Sequence, residues 1–180
     1  NQKVITIIGG GFGLGNTLKL VKNLLSSKTF VSGGGVKCII INGKNLKNYN
    51  KINKYIKKYN ITNILNLGFV NNIENYMRAS DLIITKCGSS CLTECISLKI
   101  PFIMREKMIL NEELNKKLFI SLGCGIGMNK ITDVPKIVDY IFTTPQVYQS
   151  MINNISKIQC RYAPDKITNL LIDKYKERNN

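Results

Sequence analysis

At 180 residues with 44% hydrophobic side chains, the chain is long enough for one compact domain with a substantial core and short for two. Lys and Arg number 26 against 11 Asp and Glu, a net charge of +15 that points to an anionic partner such as a nucleotide, a nucleic acid or an acidic membrane surface, and that equally suits lysine spread over any exposed face. The absence of histidine excludes Ser/His/Asp and Cys/His nucleophilic sites, H-E-x-x-H zinc sites and a histidine general base from this chain.

Asn1-Gln2-Lys3 leads into a strand without an initiating methionine, so the chain is expected to be a piece of a longer protein, with no signal peptide and no apolar run of membrane-spanning length. Val4 to Ile8 reads as a short, fully buried parallel strand, and Asn16 to Ser26 carries Leu18, Val21, Leu24 and Leu25 on a helical stripe. Lys28 to Val36, with three glycines, reads as a loop. A strand at Val36 to Ile41 and a helix at Leu46 to Tyr59 follow, then a strand at Ile61 to Leu67 and a helix at Ile73 to Ala79. The next pairs are Asp81 to Thr85 with Cys91 to Leu98, and Ile100 to Met104 with Asn111 to Leu122. A short strand near Cys124 to Met128 precedes helices at Val134 to Phe142, Gln146 to Ile158 and Lys166 to Lys176. This alternation predicts an α/β fold, a Rossmann-like parallel sheet with helices on both faces.

Of the six cysteines, Cys38, Cys87, Cys91, Cys95, Cys124 and Cys160, several lie in apolar segments, which suits free thiols better than a disulfide framework. Cys87, Cys91 and Cys95 are spaced four apart, yet no C-x-x-C pair accompanies them; they read as small buried residues and no metal is expected.

In a parallel sheet of this kind ligands sit beyond the carboxyl ends of the strands. The loops there are Gly9 to Asn16, Asn42 to Asn45, Gly68 to Val70, Lys86 to Ser90 and Arg105 to Asn111, rich in glycine, amide or charge. The first fails as a G-x-G-x-x-G fingerprint in each register, and the second strand ends without an acid to take a ribose, which argues against NAD or FAD. Read as a P-loop, Gly10 to Thr17 has Asn16 where the lysine belongs. The fourth loop is the most informative: a buried strand, a tight Gly/Ser turn, then a helix carrying Glu94 one turn in, which suits a nucleotide diphosphate at the helix start with a carboxylate on the ribose.

Taken together, Gly68-Phe69-Val70, Met77, Asp81 to Gly88, Glu94, Ile100-Pro101 and the late Ala163-Pro164-Asp165 resemble the C-terminal, donor-binding half of a GT-B glycosyltransferase. The group is that of the bacterial lipid II N-acetylglucosaminyltransferase and the plastid monogalactosyldiacylglycerol (MGDG) synthases, and the likeness to MGDG synthases is the stronger. The resemblance implies a single UDP-sugar binding domain over residues 1–180, with the acceptor domain and its catalytic base on an N-terminal half outside this chain. It also implies transfer of galactose from UDP-galactose to diacylglycerol with inversion, at a peripheral membrane site such as the plastid envelope. Gly10, Gly11, Gly13, Lys44, Ser89, Ser90 and Cys91 would meet the diphosphate, Phe69 and Val70 the uracil, Glu94 the ribose, and Asn111 and Glu112 the sugar.

Phe12 stands where the family carries an acid, Ser89-Ser90-Cys91 where it has Pro-Gly-Thr, Ile109-Leu110 where it has small residues, and Asn111 where it has Gln. Helix capping is the competing reading of Asn111 and Glu112. Two other functions stay open: a UDP-N-acetylglucosamine transferase acting on a polyprenyl-linked acceptor, and a non-catalytic partner subunit of the same fold. The expected partners are a UDP-hexose, a lipid acceptor and an anionic membrane surface rather than nucleic acid.

Overall fold

The computed structural model describes residues 2–10, 16–31, 35–105, 110–158 and 163–179. Along them run β1 (Lys3–Ile8), α1 (Thr17–Leu24), α2 (Lys28–Val31), β2 (Val36–Ile41), α3 (Leu46–Lys58), β3 (Ile64–Leu67), α4 (Ile73–Arg78) and β4 (Leu82–Thr85). They continue with α5 (Ser89–Ser97), β5 (Phe102–Met104), α6 (Leu110–Ser121), β6 (Gly125–Gly127), a 3-10 turn at Ile131–Asp133, α7 (Val134–Thr143), α8 (Pro145–Ser156) and α9 (Ala163–Asn179). The six strands form one parallel sheet in the order β3-β2-β1-β4-β5-β6, the doubly wound arrangement expected from the alternation.

Successive residues of a strand face opposite sides of a sheet, and the core divides accordingly. Ile5 and Ile7 of β1, Leu82 and Ile84 of β4 and Ile103 of β5 pack with Leu20, Val21 and Leu24 of α1 and Val134, Val138 and Ile141 of α7. Ile83, Phe102 and Met104 belong to the other side, with Met77 of α4, Leu92, Cys95 and Ile96 of α5 and Cys124. Strands buried on both faces must be apolar at consecutive positions, which is why β1 and β4 read as unbroken β-branched and aliphatic runs rather than as alternating ones.

Three segment boundaries differ from the sequence expectation for one shared reason. Ile61, Ile100 and Cys124 were each expected to open a strand; instead their N–H groups bond back to Ile56 O, Cys95 O and Phe119 O, at 3.1, 2.9 and 3.1 Å. The residue before each is left-handed, Asn60 at φ 48, Lys99 at φ 57 and Gly123 at φ 65. This is the Schellman closure, so these apolar residues end α3, α5 and α6 before the strands begin.

The expectation of a loop over Lys28 to Val36 is corrected at its start, where α2 forms. Its capping group comes from α7: Asp139 Oδ1 accepts from Ser27 Oγ and Thr29 Oγ1, both at 2.6 Å, and from Thr29 N at 3.0 Å, while Oδ2 accepts from Lys28 N at 3.1 Å. Burial would raise the Asp139 carboxyl, but the hydrogen bonds from Ser27, Thr29 and Lys28 carry it below the ordinary carboxylate range.

Candidate functional site

The order of the sheet reverses between β1 and β4, and a cavity of about 440 Å³ opens beyond the carboxyl ends of the strands there. Ile8 and Ile41, the last residues of β1 and β2, contribute apolar wall, and Gly10, Gly43, Phe69, Val70 and Gly88 come from the loops that follow the first four strands. Gly10 and Gly43 have φ of 74° and 57°, a region costly for side chains with a Cβ, so glycine at these turns lets the backbone border the cavity.

The second of these loops is held from beneath by a buried amide. Asn42 is 1% exposed; its Nδ2 donates to Asn66 Oδ1 at 2.7 Å and Leu67 O at 2.8 Å, and its Oδ1 accepts from Asn48 Nδ2 at 2.7 Å. Asn45 Oδ1 accepts from Asn48 N at 2.9 Å and caps α3. The loops carrying Gly43 and Phe69 are thereby tied to one another and to α3. Asn42 occupies the place where the sequence lacks a ribose-binding acid, and its role is to position the loop.

Helix α5 aims its start at the cavity. Gly88 is its N-cap and supplies no capping side chain, and the first helical hydrogen bond of the ladder is Leu92 N to Gly88 O at 3.2 Å. The N–H groups of Ser89, Ser90 and Cys91 precede that bond, and all three residues line the cavity. A helix N-terminus without a side-chain cap favours an anion through these donors and the peptide dipoles. Leu92, Cys95 and Ile96 anchor the helix in the core, each such burial contributing about 1.5–3 kcal/mol for the aliphatic side chains. Glu94, one turn along, lies on the exposed side of α5 and lines the same cavity. Because α5 starts at Ser89, Cys87 precedes the helix, and only Cys91 and Cys95 of the cysteine triplet are helical. Among the described residues no group of three or more Cys, Asp or Glu side chains is placed to hold a metal ion.

Of the residues expected at a donor site, Gly10, Phe69, Val70, Ser89, Ser90, Cys91 and Glu94 are brought together around this cavity. Gly11 and Gly13 lie outside the described residues. Lys44 Nζ stands 6.0 Å from the centroid of the Phe69 ring, on the side of the cavity formed by the loop after β3. Asn111 is exposed within the first turn of α6, one residue past its start at Leu110, which places it inside the helix rather than at the cap. Glu112 is ion-paired with Lys86, Nζ to Oε1 at 2.9 Å.

Lys86 is the residue that the sequence reading left without a role. Its side chain runs past both glycine turns: a Cβ at Gly10 would be 3.5 Å from Lys86 Cε and a Cβ at Gly88 3.2 Å. It lines the cavity, so a cation lies between the first loop and the start of α5. The available signal was its position directly after a buried strand, at the end of the sheet where ligand-binding loops converge.

Comparison with known proteins gives the family and the fold. The glycosyltransferase family 28 C-terminal domain matches residues 4–154. The chain belongs to this glycosyltransferase family. The family 28 domain is 25% identical over 173 residues to the processive diacylglycerol β-glucosyltransferase of Bacillus pumilus, covering 96% of this chain and 44% of that protein. Identity to the chloroplastic monogalactosyldiacylglycerol synthase 1 of Arabidopsis thaliana is 25% over 184 residues, covering 100% of this chain and 34% of the relative. It thus spans less than half the length of these curated relatives. The crystal structure of Anabaena HepE in complex with UDP-glucose matches with a TM-score of 0.71 at 13% identity, over 98% of this chain and 49% of that one. The fold is that of the C-terminal domain of GT-B glycosyltransferases.

Proposed function

We propose that this family 28 domain is the donor half of a lipid hexosyltransferase, binding UDP-galactose and presenting its anomeric carbon to diacylglycerol. The observation that carries the reading is the convergence of the α5 N-terminus and Lys86 on one cavity at the switch point of the sheet. In such a transfer the acceptor hydroxyl attacks the anomeric carbon from the face opposite UDP, the bond from that carbon to the diphosphate oxygen breaks, and configuration inverts. Negative charge grows on the departing diphosphate. The N–H groups of Ser89, Ser90 and Cys91 and the Lys86 ammonium are the groups to stabilise it, without a metal ion.

Within this reading Phe69 and Val70 border the uracil and Glu94 accepts the ribose hydroxyls. Gly10 lets the first loop approach the diphosphate, Gly11 and Gly13 are assigned to the same diphosphate, and Lys44, beside the Phe69 ring, adds positive charge for it. Asn111 and Glu112 read the hexose hydroxyls, with Glu112 holding Lys86 across the diphosphate. The acceptor pocket and the catalytic base are assigned to a part of the protein beyond this chain. Peripheral membrane association is part of the proposal, supported by the net charge of +15.

A glucosyl donor is the second reading, favoured by the name of the Bacillus pumilus relative. Incubating the full-length protein with diacylglycerol or a polyprenyl-linked acceptor and either UDP-galactose, UDP-glucose or UDP-N-acetylglucosamine, and identifying the lipid product by mass spectrometry and sugar analysis, decides between them. A galactosyl lipid is expected; a glucosyl product alone, or transfer only to a polyprenyl-linked acceptor, overturns the donor or acceptor assignment.

A further inference from the structure

We propose that Cys91 is a nucleophilic thiol of the donor cavity, open to alkylation by small soft electrophiles and shielded when a nucleotide is bound. Cys91 is the third residue of α5, lines the cavity and is partly exposed, whereas Cys38, Cys87, Cys95 and Cys124 are buried. Its sulfur therefore sits where the unbonded N–H groups of a helix start favour negative charge, within reach of a reagent entering the cavity.

A second observation points to the same atom. The Thr85 hydroxyl at the end of β4 is 1% exposed and makes no hydrogen bond among the described residues. A buried hydroxyl left unsatisfied is costly. The Thr85 hydroxyl and the Cys95 thiol are among the groups that favour the ionised form of Cys91. A neutral thiol sulfur is only a weak acceptor, whereas an ionised Cys91 offers the Thr85 O–H and the Cys95 S–H a sulfur anion to receive them. The Cys91 thiol is accordingly held below the ordinary thiol range, first by the Cys95 S–H, then by Thr85 and the Lys86 ammonium, against burial and the nearby Glu94 carboxylate. Burial instead pushes the Cys87 thiol up to about 11, and it raises Cys38 and Cys124 as well. Cys95 is raised by its contact with Cys91 and by burial.

Alkylation by iodoacetamide follows directly: the Cys91 thiolate forms an S–C bond to the methylene carbon, the C–I bond breaks with loss of iodide, and the thiol proton goes to solvent. The adduct would occupy the cavity beside Ser89 and Ser90. Reactivity of the thiol is independent of the functional reading above; shielding by UDP rests on it.

The test is timed labelling of the 180-residue chain with iodoacetamide, with peptide mapping by mass spectrometry. Cys91 is expected to react at least about tenfold faster than Cys38, Cys87, Cys95 or Cys124, with a rate half-maximal below about pH 8.5, the midpoint of a free thiol. UDP is expected to slow labelling at Cys91 alone, and Thr85→Val to slow it about threefold or more without UDP. Labelling of Cys91 no faster than Cys87 or Cys124 overturns the proposal, as does a half-maximal rate at or above the free-thiol midpoint; the latter reads the unaltered chain should Thr85→Val fail to fold. Fast labelling of Cys91 that UDP does not slow supports the thiol and overturns the placement of the nucleotide.

Discussion

Lys86 Nζ lies 2.9 Å from Glu112 Oε1, and the stem of the same lysine runs past the glycine turns at Gly10 and Gly88. One ion pair thus links the start of α6 to the loops that follow β1 and β4. The Glu112 side chain is 13% exposed and that of Lys86 41%, so the carboxylate is the more desolvated partner and fixes the direction in which the lysine points.

Lys86→Met is expected to weaken UDP by about 1.5–3 kcal/mol, the worth of a hydrogen bond to a charged group, while leaving uridine binding nearly unchanged. Glu112→Ala in the full-length protein should abolish transfer and spare UDP affinity, because it frees the Lys86 charge rather than removing it. Calorimetry and a product assay check both; a Glu112→Ala protein that melts earlier yet transfers normally would reduce the pair to a structural clamp.

The amide beneath the second loop gives a different kind of expectation. Asn42→Leu leaves the buried Asn48 amide without its acceptor and the half-buried Asn66 Oδ1 without its donor, a cost of about 1–3 kcal/mol carried mainly by Asn48. A urea titration should show a lowered midpoint, and UDP binding should weaken with it because Gly43 and Phe69 lose their support. A stability change under about 0.5 kcal/mol would contradict the positioning role.

Most of the fold was legible in the chain because its physical signals are local. The β-branched runs of β1, β2 and β4 and the helical stripe of α1 appear in the structure within a residue or two of where periodicity puts them. What the chain concealed depends on partners far away or on shared chemistry. Ile61, Ile100 and Cys124 look like strand residues because a Schellman closure buries an apolar side chain just as a strand does. The helical turn α2 is invisible locally, since its capping carboxylate, Asp139, lies more than a hundred residues on. At the candidate site, Phe69, Val70, Ser89, Ser90, Cys91 and Glu94 were marked by their loops and by family resemblance. Lys86 lies in the same loop and motif, but the charge it brings to the cavity depends on its packing past Gly10 and Gly88 and its ion pair with Glu112, which are visible only in the fold.

Asp139 yields a pH dependence with a definite sign. Its folded carboxyl is depressed, so the stability it contributes is present above the unfolded value, near pH 4, and is lost as pH falls through the lower folded value. Asp139→Asn should cost about 1–2 kcal/mol at pH 7 and flatten that part of the acid unfolding curve. Thermal melts between pH 7 and pH 2.5 measure it; an unchanged acid limb in the variant would assign the pH dependence to other carboxylates.

The cavity at the switch point is assigned to a uridine diphosphate. Isothermal calorimetry of UDP and ADP against the 180-residue chain, in EDTA and again with magnesium, is the most direct measurement of that assignment. UDP is expected to bind and ADP to bind at least about tenfold more weakly, with EDTA changing nothing and Glu94→Ala weakening UDP by about 1–3 kcal/mol. ADP binding as tightly as UDP, a strict need for magnesium, or no binding of either nucleotide would contradict it.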